Sequence, residues 1–316
     1  MSGKKAERIS YCLLDPTGNI TALVESEVGK DRRISIAARI MCIHPEVEQV
    51  GFMSETAPGD RDVRASLHMA GGEFCGNATM CAAALQLIRE TEAAGCSPED
   101  IAAIAELSDQ RPADLAEEIG TNRGGRPWSS YALRVSGAVE PVRVRLRHDG
   151  SDCFSAGVHM PPAISVEMAV LDDGKARTEV PMVRMEGISH LIIEENSPFF
   201  YLKTEREAAQ RTIRDWCGRL SADGLGLMFL EQTDGKHCLT PLVYVREGET
   251  LFWEHSCASG SAAVGMFLSD RCSEAVSLDL QEPGGMLHVE SDPRSGETWL
   301  YGRIRDRKST RLNSSH

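Results

Sequence analysis

The sequence repeats one short pattern, a cysteine followed by small residues that begin an alanine-rich helix, once in each half of the chain. Residues 74–80 read Phe-Cys-Gly-Asn-Ala-Thr-Met, and residues 256–262 read Ser-Cys-Ala-Ser-Gly-Ser-Ala. Each pattern predicts a thiol at a helix N-terminus, where backbone amides and the helix dipole stabilise an anion and lower a cysteine pKa. Either cysteine alone could be an ordinary buried residue. The matched pair favours two related halves, with Cys75 and Cys257 on opposite walls of a cleft.

The predicted secondary structure is rich in strands and poor in helices. One buried helix is predicted in each half, at residues 78–90 and 262–268, and further helices are predicted at residues 35–43 and 205–217. Strands are predicted at residues 11–14, 20–24, 49–53, 64–69, 131–135, 142–147, 153–159, 180–185, 190–194, 227–231, 242–245, 277–280, 287–289 and 299–304. Helices are too sparse to alternate with these strands, so the pattern predicts a pseudo-twofold α+β pair rather than a doubly wound sheet.

The chain divides most naturally at the Met-Pro-Pro step of residues 160–162. This boundary predicts an N-terminal domain at residues 1–160 and a C-terminal domain at residues 161–306. Composition changes at residues 93–130, which we interpret as a surface excursion. Residues 307–316 are polar and aperiodic, and we interpret them as a non-native tail that resembles translated cloning-adaptor sequence.

Composition excludes several classes of partner. The 316 residues carry a formal net charge of −13, which argues against binding to nucleic acid or to an anionic membrane surface. No apolar stretch approaches the roughly 20 residues of a membrane helix, and no secretory signal is evident. We therefore predict a cytoplasmic protein whose ten cysteines stay reduced. Cysteine and histidine spacings typical of zinc sites are absent from the sequence, and we predict no metal.

Two opposed thiols suit one reaction in particular, the inversion of an amino acid α-carbon. Inversion removes a proton from one face and delivers another to the opposite face, so it needs two Brønsted groups of similar strength. Backbone N–H groups at the two helix starts, at residues 76–77 and 258–259, would hold the substrate carboxylate. No lysine motif typical of a pyridoxal phosphate site is evident, and we predict no cofactor.

On these residues, the chain resembles the cofactor-independent amino acid racemases and epimerases of the diaminopimelate epimerase fold. Matching segments lie at residues 15–21, 48–52, 73–80, 253–260 and 283–285, and so extend over nearly the whole chain. Within that superfamily the chain most resembles the histidine racemases of staphylopine-type metallophore synthesis. The resemblance implies two pseudo-symmetric diaminopimelate epimerase-like domains. Each would be a curved sheet around a central helix, with the active site in the cleft between them.

The resemblance also implies a role for each site residue. Cys75 and Cys257 would be the catalytic acid and base, and Glu254 would pair with the substrate ammonium. The other residues implied in substrate binding are Asn19, Gly76, Asn77, Ala258 and Ser259. The expected partner is a small amino acid, with histidine converted from the L to the D form for an opine metallophore pathway. A homodimer is compatible with the sequence.

The sequence leaves three other functions open. They are an epimerase or racemase of another amino acid, such as diaminopimelate, a phenazine-biosynthesis-like isomerase, and a non-catalytic amino-acid-binding module. A diaminopimelate epimerase is disfavoured, because residues 187–190 read Gly-Ile-Ser-His rather than Gly-Asn-Pro-His, and residues 248–250 read Gly-Glu-Thr rather than Glu-Arg-Gly. A second zwitterionic head group would then be poorly paired. Phenazine-biosynthesis isomerase-like proteins lack the second cysteine, so Cys257 favours a racemase. A non-catalytic amino-acid-binding module would not need both thiols.

Overall fold

The computed structural model describes residues 8–55, 63–95, 128–150 and 152–307. Most of the predicted surface excursion at residues 93–130 lies outside the described residues. The same holds for the predicted tail at residues 307–316, of which only residue 307 is described.

Sixteen strands of the described chain form one hydrogen-bonded sheet. In nearly every strand some residues are buried and others are partly or fully exposed, and apolar side chains lie on the covered face. The strands are β1 (Tyr11–Pro16), β2 (Thr21–Val24), β3 (Gln49–Ser54), β4 (Ala65–Met69), β5 (Ser129–Val135), β6 (Val142–Gly150), β7 (Cys153–His159), β8 (Ser165–Asp172), β9 (Arg177–Met185), β10 (Ile188–Glu194), β11 (Gly224–Thr233), β12 (Lys236–Val245), β13 (Thr250–Trp253), β14 (Val276–Glu282), β15 (Gly285–Asp292) and β16 (Glu297–Asp306).

Four α-helices and two short 3-10 helices accompany the sheet in the described residues. The α-helices are α1 (Arg33–Ile43), α2 (Gly76–Ala94), α3 (Arg206–Arg219) and α4 (Ala258–Cys272), and the 3-10 helices are Lys30–Arg32 and Phe200–Lys203. None of the described helices has both the length and the apolar composition needed to span a membrane.

The first half of the sheet closes into a barrel around α2. Strands β1 to β7 are neighbours in chain order, and β16 pairs with both β7 and β1, which closes the ring. Helix α2 contacts all eight strands of this ring. It fits inside because its buried face is made largely of small side chains, including Ala78, Ala82, Ala83 and Ala84. The helix therefore forms the centre of the first core.

The second half of the sheet curves around α4. From β16 the strand order runs β15, β14, β12, β11, β10, β9 and β8, with β13 paired to β12. Helix α4 contacts β8 to β11 and β14 to β16, and eleven of its residues are buried. Helix α3 packs on β11 and β12 and contributes the buried Trp216 to a separate core. The fold is therefore a sheet-dominated α+β fold with a closed barrel, while the domain boundary at residue 160 stays a prediction.

Candidate active site

Cys75 and Cys257 occupy the same position on equivalent helices. Cys75 is the N-cap residue of α2, with φ −131° and ψ 109°, and Cys257 is the N-cap residue of α4, with φ −127° and ψ 100°. The Cys75 Sγ accepts a hydrogen bond from the backbone N–H of Ala78 at 3.4 Å. Extended backbone at an N-cap directs the side chain toward the free amides of the first turn. The sequence pattern therefore predicted the local setting of both thiols correctly.

The two helix N-termini abut at Gly76 and Ala258. A Cβ atom built on Gly76 would lie 2.8 Å from the Ala258 Cβ and 3.3 Å from the Met160 Sδ. Contacts of this length leave no room for a side chain at position 76. The first turns of α2 and α4, with their unpaired backbone amides, therefore face each other across a narrow gap.

A small cavity of about 30 Å³ lies at this junction. All eight residues predicted for the site line it, which are Asn19, Cys75, Gly76, Asn77, Glu254, Cys257, Ala258 and Ser259. The remaining lining residues are Gln49, Glu73, Phe74, Ile188, Val243 and Val245. The fold thus brings together residues from six separate parts of the chain, and we call this space the catalytic cavity.

Two buried asparagines present carbonyl oxygens with no partner. The Asn19 Nδ2 donates to the Ser256 carbonyl at 2.8 Å and to Glu48 Oε2 at 3.0 Å, and the Asn77 Nδ2 donates to the same carbonyl at 3.1 Å. These hydrogen bonds fix the orientation of both side-chain amide groups. Among the described residues, neither Asn19 Oδ1 nor Asn77 Oδ1 has a hydrogen-bond partner, although both are enclosed. Buried acceptors without a partner are rare, and here both belong to residues that line the catalytic cavity.

Two buried carboxyl groups flank Cys257. Glu254 accepts a hydrogen bond from Gln49 Nε2 at 2.9 Å and lies close enough to the Cys257 thiol for each group to shift the pKa of the other. Glu282 accepts from the Cys257 backbone N–H at 2.7 Å and from the Ser261 hydroxyl. Burial raises the pKa of Glu254 to about 8 and that of Glu282 to about 8. Repulsion from Glu48 adds to both increases, and Glu254 also repels Glu282. Both carboxyls therefore hold a proton more readily than an exposed glutamate.

Burial also raises the pKa of both thiols, contrary to the expectation drawn from the helix N-termini. The Ala78 N–H lowers the Cys75 pKa, as expected, but desolvation in the enclosed cavity outweighs it. At Cys257, the neighbouring carboxyls of Glu254 and Glu282 raise the pKa further. The sequence pattern could indicate that a helix dipole acts on each thiol, but it could not indicate that folding removes solvent from the thiols. In this arrangement both cysteines are neutral thiols.

Sequence reasoning missed three residues that support the site. Glu282 holds the start of α4, Gln49 orients Glu254, and Glu48 accepts from both the backbone N–H of His255, at 3.1 Å, and the Asn19 amide. Each lies in or next to a segment that carries the family resemblance, which was the available signal. Among the described residues, no group of His, Cys, Asp and Glu side chains is arranged to hold a metal ion.

Comparison with known proteins identifies the family of this chain. The family described as "Histidine racemase CntK N-terminal domain" matches residues 8–104 and 114–300. The chain belongs to that family. A histidine racemase of Fusobacterium nucleatum subsp. nucleatum is 29% identical over 297 residues, which cover 91% of this chain and 92% of that protein. A histidine racemase of Staphylococcus aureus is 28% identical over 291 residues, which cover 90% of this chain and 88% of that protein.

Solved structures share the fold at lower identity. A predicted epimerase from Pseudomonas aeruginosa superposes with a TM-score of 0.59 at 16% identity, covering 98% of this chain and all of that one. A probable proline racemase from Agrobacterium radiobacter gives a TM-score of 0.61 at 10% identity, covering 97% of this chain and 93% of that one. The chain is therefore an amino acid racemase by family, and its α+β fold is that of racemases and epimerases.

Proposed function

We propose that this racemase interconverts L- and D-histidine by a two-base mechanism that uses Cys75 and Cys257 and no cofactor. The observation that carries the proposal is the placement of two N-cap cysteines on one catalytic cavity, at the junction of two helix N-termini. The histidine assignment is supported by the names of the relatives, which align over about nine-tenths of the chain.

In the proposed mechanism the two cysteines exchange roles with the handedness of the substrate. One cysteine, as a thiolate, removes the proton from Cα and becomes a thiol. The other cysteine delivers its thiol proton to the opposite face of the carbanion and becomes a thiolate. The reverse reaction uses the same groups in the opposite roles, so the protons balance in both directions.

Helix N-termini would bind the substrate carboxylate. Backbone N–H groups in the first turns of α2 and α4, at Gly76, Asn77, Ala258 and Ser259, lack intrahelical partners and carry the positive end of the helix dipole. Because the helices abut at Gly76 and Ala258, both N-termini can act on one anion. The same groups would stabilise the charge that develops when Cα loses its proton.

The substrate ammonium would bind the unpartnered oxygens of residues that line the cavity. Asn19 Oδ1 and Asn77 Oδ1 are free to accept, and Glu254 supplies a carboxylate. A positive charge placed here lowers the pKa of Glu254 and of the neighbouring Cys257 thiol, because it favours their charged forms. Substrate binding would therefore generate the thiolate that the empty site disfavours.

The composition of the cavity favours histidine over diaminopimelate. Its described lining includes the carboxylates of Glu73 and Glu254 but no lysine or arginine. The distal carboxylate of diaminopimelate would need such a cation, and burying it unpaired costs several kcal/mol. A phenazine-type isomerase would not need the thiol of Cys257, and a binding module would need neither thiol.

The finer architecture belongs to the same proposal. We propose two pseudo-symmetric domains divided near residue 160, with the catalytic cavity in the cleft between them. The similar N-cap geometry of Cys75 and Cys257 supports this symmetry. We propose a cytoplasmic location from the composition of the chain. A place in opine metallophore synthesis is proposed from the family resemblance, and a homodimer remains a prediction.

One assay tests the function directly. The purified full chain is incubated in D₂O with each of the twenty L-amino acids and with diaminopimelate, without added cofactor. Chiral chromatography then measures inversion, and mass spectrometry measures deuterium at Cα. We expect inversion and exchange of histidine. Activity on diaminopimelate alone, a requirement for pyridoxal phosphate, or histidine binding without Cα exchange would each refute the proposal.

A further inference from the structure

A second, larger cavity adjoins the catalytic cavity. It has a volume of about 110 Å³ and lies between α1 and the β12–β13 hairpin. It shares Gln49, Glu73, Val243, Val245 and Glu254 with the catalytic cavity, so the two spaces meet along this common wall. A substrate with Cα between the two cysteines could therefore place its side chain here. We call this space the adjoining cavity.

The walls of the adjoining cavity suit a flat ring. Ile34, Ala37 and Met41 of α1 lie on one side, and Val245 and Phe252 of the hairpin lie on the other. Apolar walls bind the faces of a ring but leave its polar edge in need of a partner. The polar groups at the wall are therefore what would distinguish an imidazole from a plain hydrocarbon.

Three carboxylates line the adjoining cavity, and two of them already have partners. Glu48 accepts from His255 and from Asn19. Glu254 accepts from Gln49. The Oε2 atom of the third, Glu73, is enclosed and has no hydrogen-bond partner among the described residues.

The surroundings of Glu73 supply no compensating charge. Among the described residues it forms no ion pair, and the carboxylate of Glu247 raises its pKa by repulsion. Burial raises its pKa, and the nearby amides of Gly71 and of Glu73 itself oppose that increase. An enclosed carboxylate oxygen without a donor is costly unless a ligand supplies one. The missing group is a hydrogen-bond donor, with or without positive charge.

The backbone that carries Glu73 is held firmly beside the catalytic cysteine. Glu73 lies two residues before Cys75, and its carbonyl accepts a hydrogen bond from the Ser136 hydroxyl at 2.9 Å. Gly137 packs so closely that a Cβ atom there would lie 2.3 Å from the Phe74 nitrogen. The backbone that joins Glu73 to Cys75 is therefore held in place, which limits how far the two side chains can move relative to each other.

We propose that the adjoining cavity holds the imidazole ring of the substrate and that Glu73 accepts a hydrogen bond from a ring N–H. This inference rests on the proposed function and adds the residue that selects the side chain. Both protonation states of the ring carry at least one N–H, so both satisfy Glu73. A side chain without a donor leaves Glu73 Oε2 buried and unpaired, which is how a polar site rejects an apolar analogue.

The test compares histidine with 3-(2-thienyl)alanine, whose five-membered ring has a similar shape and no N–H. Glu73→Gln keeps the shape of the side chain but removes its charge. We expect it to lower kcat/KM for Cα exchange of histidine by about 10- to 100-fold, the range of a charge-assisted hydrogen bond. The inhibition constant of thienylalanine against histidine exchange should stay the same or fall.

A matched control separates recognition from a general change in charge. Glu247 is an exposed carboxylate that approaches the same loop near Gly72. Because Glu247 repels Glu73 and lines neither cavity, we expect Glu247→Gln not to lower kcat/KM for histidine and not to change the inhibition constant of thienylalanine. Equal losses for histidine and thienylalanine in Glu73→Gln would show a structural role and overturn the inference, as would unaltered histidine kinetics. If the unsubstituted protein fails to exchange histidine at all, the proposed function itself is wrong, and that result needs no variant.

Discussion

The contact between Gly76 and Ala258 offers a quantitative test of the site geometry. Replacing Gly76 with alanine adds one methyl group, which would lie 2.8 Å from the Ala258 Cβ and 3.3 Å from the Met160 Sδ. Methyl carbons in proteins rest about 3.5–4.0 Å apart, so the two helix N-termini must separate by roughly 1 Å. That displacement moves Cys75, the preceding residue, away from Cys257.

Two opposing effects determine how much Gly76→Ala changes the free energy of unfolding. Overpacking of this kind costs about 1–3 kcal/mol. Alanine is the better helix former and recovers at most about 1 kcal/mol, less at the first position of a helix such as Gly76. We therefore expect Gly76→Ala to lower the free energy of unfolding by about 1–2 kcal/mol. Misplacing a reacting group by about 1 Å can cost about 100-fold in rate, so kcat should fall much more than KM rises.

The second substitution in the test is Ala258→Gly. It deletes the Ala258 methyl group, which the methyl group of Gly76→Ala would contact, so the double variant should recover most of the lost stability and turnover. The four proteins form a double-mutant cycle, measured by denaturant unfolding and by Cα deuterium exchange. We expect a coupling energy of about 1–2 kcal/mol, within the range seen for residues in contact. Full activity of Gly76→Ala alone, or additive effects in the cycle, would refute the close approach of the two helices.

Three further predictions concern the thiols and Glu254. Cys75→Ala and Cys257→Ala should each abolish inversion of histidine measured by chiral chromatography, and near-normal turnover in either variant would exclude the two-base mechanism. Glu254→Gln should raise KM by about 10- to 100-fold with a smaller change in kcat, since it removes the charge that pairs with the substrate ammonium. Because the pKa of Glu254 is about 8 and its carboxylate is the binding form, kcat/KM should rise with pH up to that value in the unsubstituted protein and lose this dependence in Glu254→Gln. Mild oxidation without substrate should inactivate the protein reversibly through a Cys75–Cys257 disulfide, detected as the loss of two free thiols by mass spectrometry, and substrate should protect.

Local patterns in the sequence predicted the helices and most strands because apolar spacing and caps act over a few residues. The spacing at residues 78–90 and the small residues after Cys75 correctly predicted α2, and the same reasoning applied to α4. Strand β8 was missed, because the exposed Met168 and Val170 are as apolar as the buried Ala169 and Leu171. Burial therefore alternates along this strand while hydropathy does not, and the sequence pattern is lost.

Tertiary relations could not be deduced from spacing alone. The closure of the first barrel by β16 depends on a pairing between strands nearly three hundred residues apart, such as Leu14 with Asp306. The role of Glu282 likewise depends on its position beside Cys257 after folding, because a glutamate before Pro-Gly-Gly has no distinctive local signal. The raised thiol pKa depends on how completely the cavity excludes water. All three arise from packing between distant segments, which a single sequence does not record.

The raised pKa values follow directly from what the proposed reaction requires. A thiolate that is a strong enough base to remove the proton from Cα must have a high proton affinity, and a thiolate stabilised strongly by solvent or by a helix would be too weak. Burial of Cys75 and Cys257 provides this affinity, while the buried Glu254 keeps the cavity unfavourable for a second negative charge until an ammonium group arrives. The substrate carries that positive charge beside the carbon to be deprotonated. The bound zwitterion would therefore lower the cost of forming one thiolate where the reaction needs it, and a ligand without the ammonium would leave both thiols neutral.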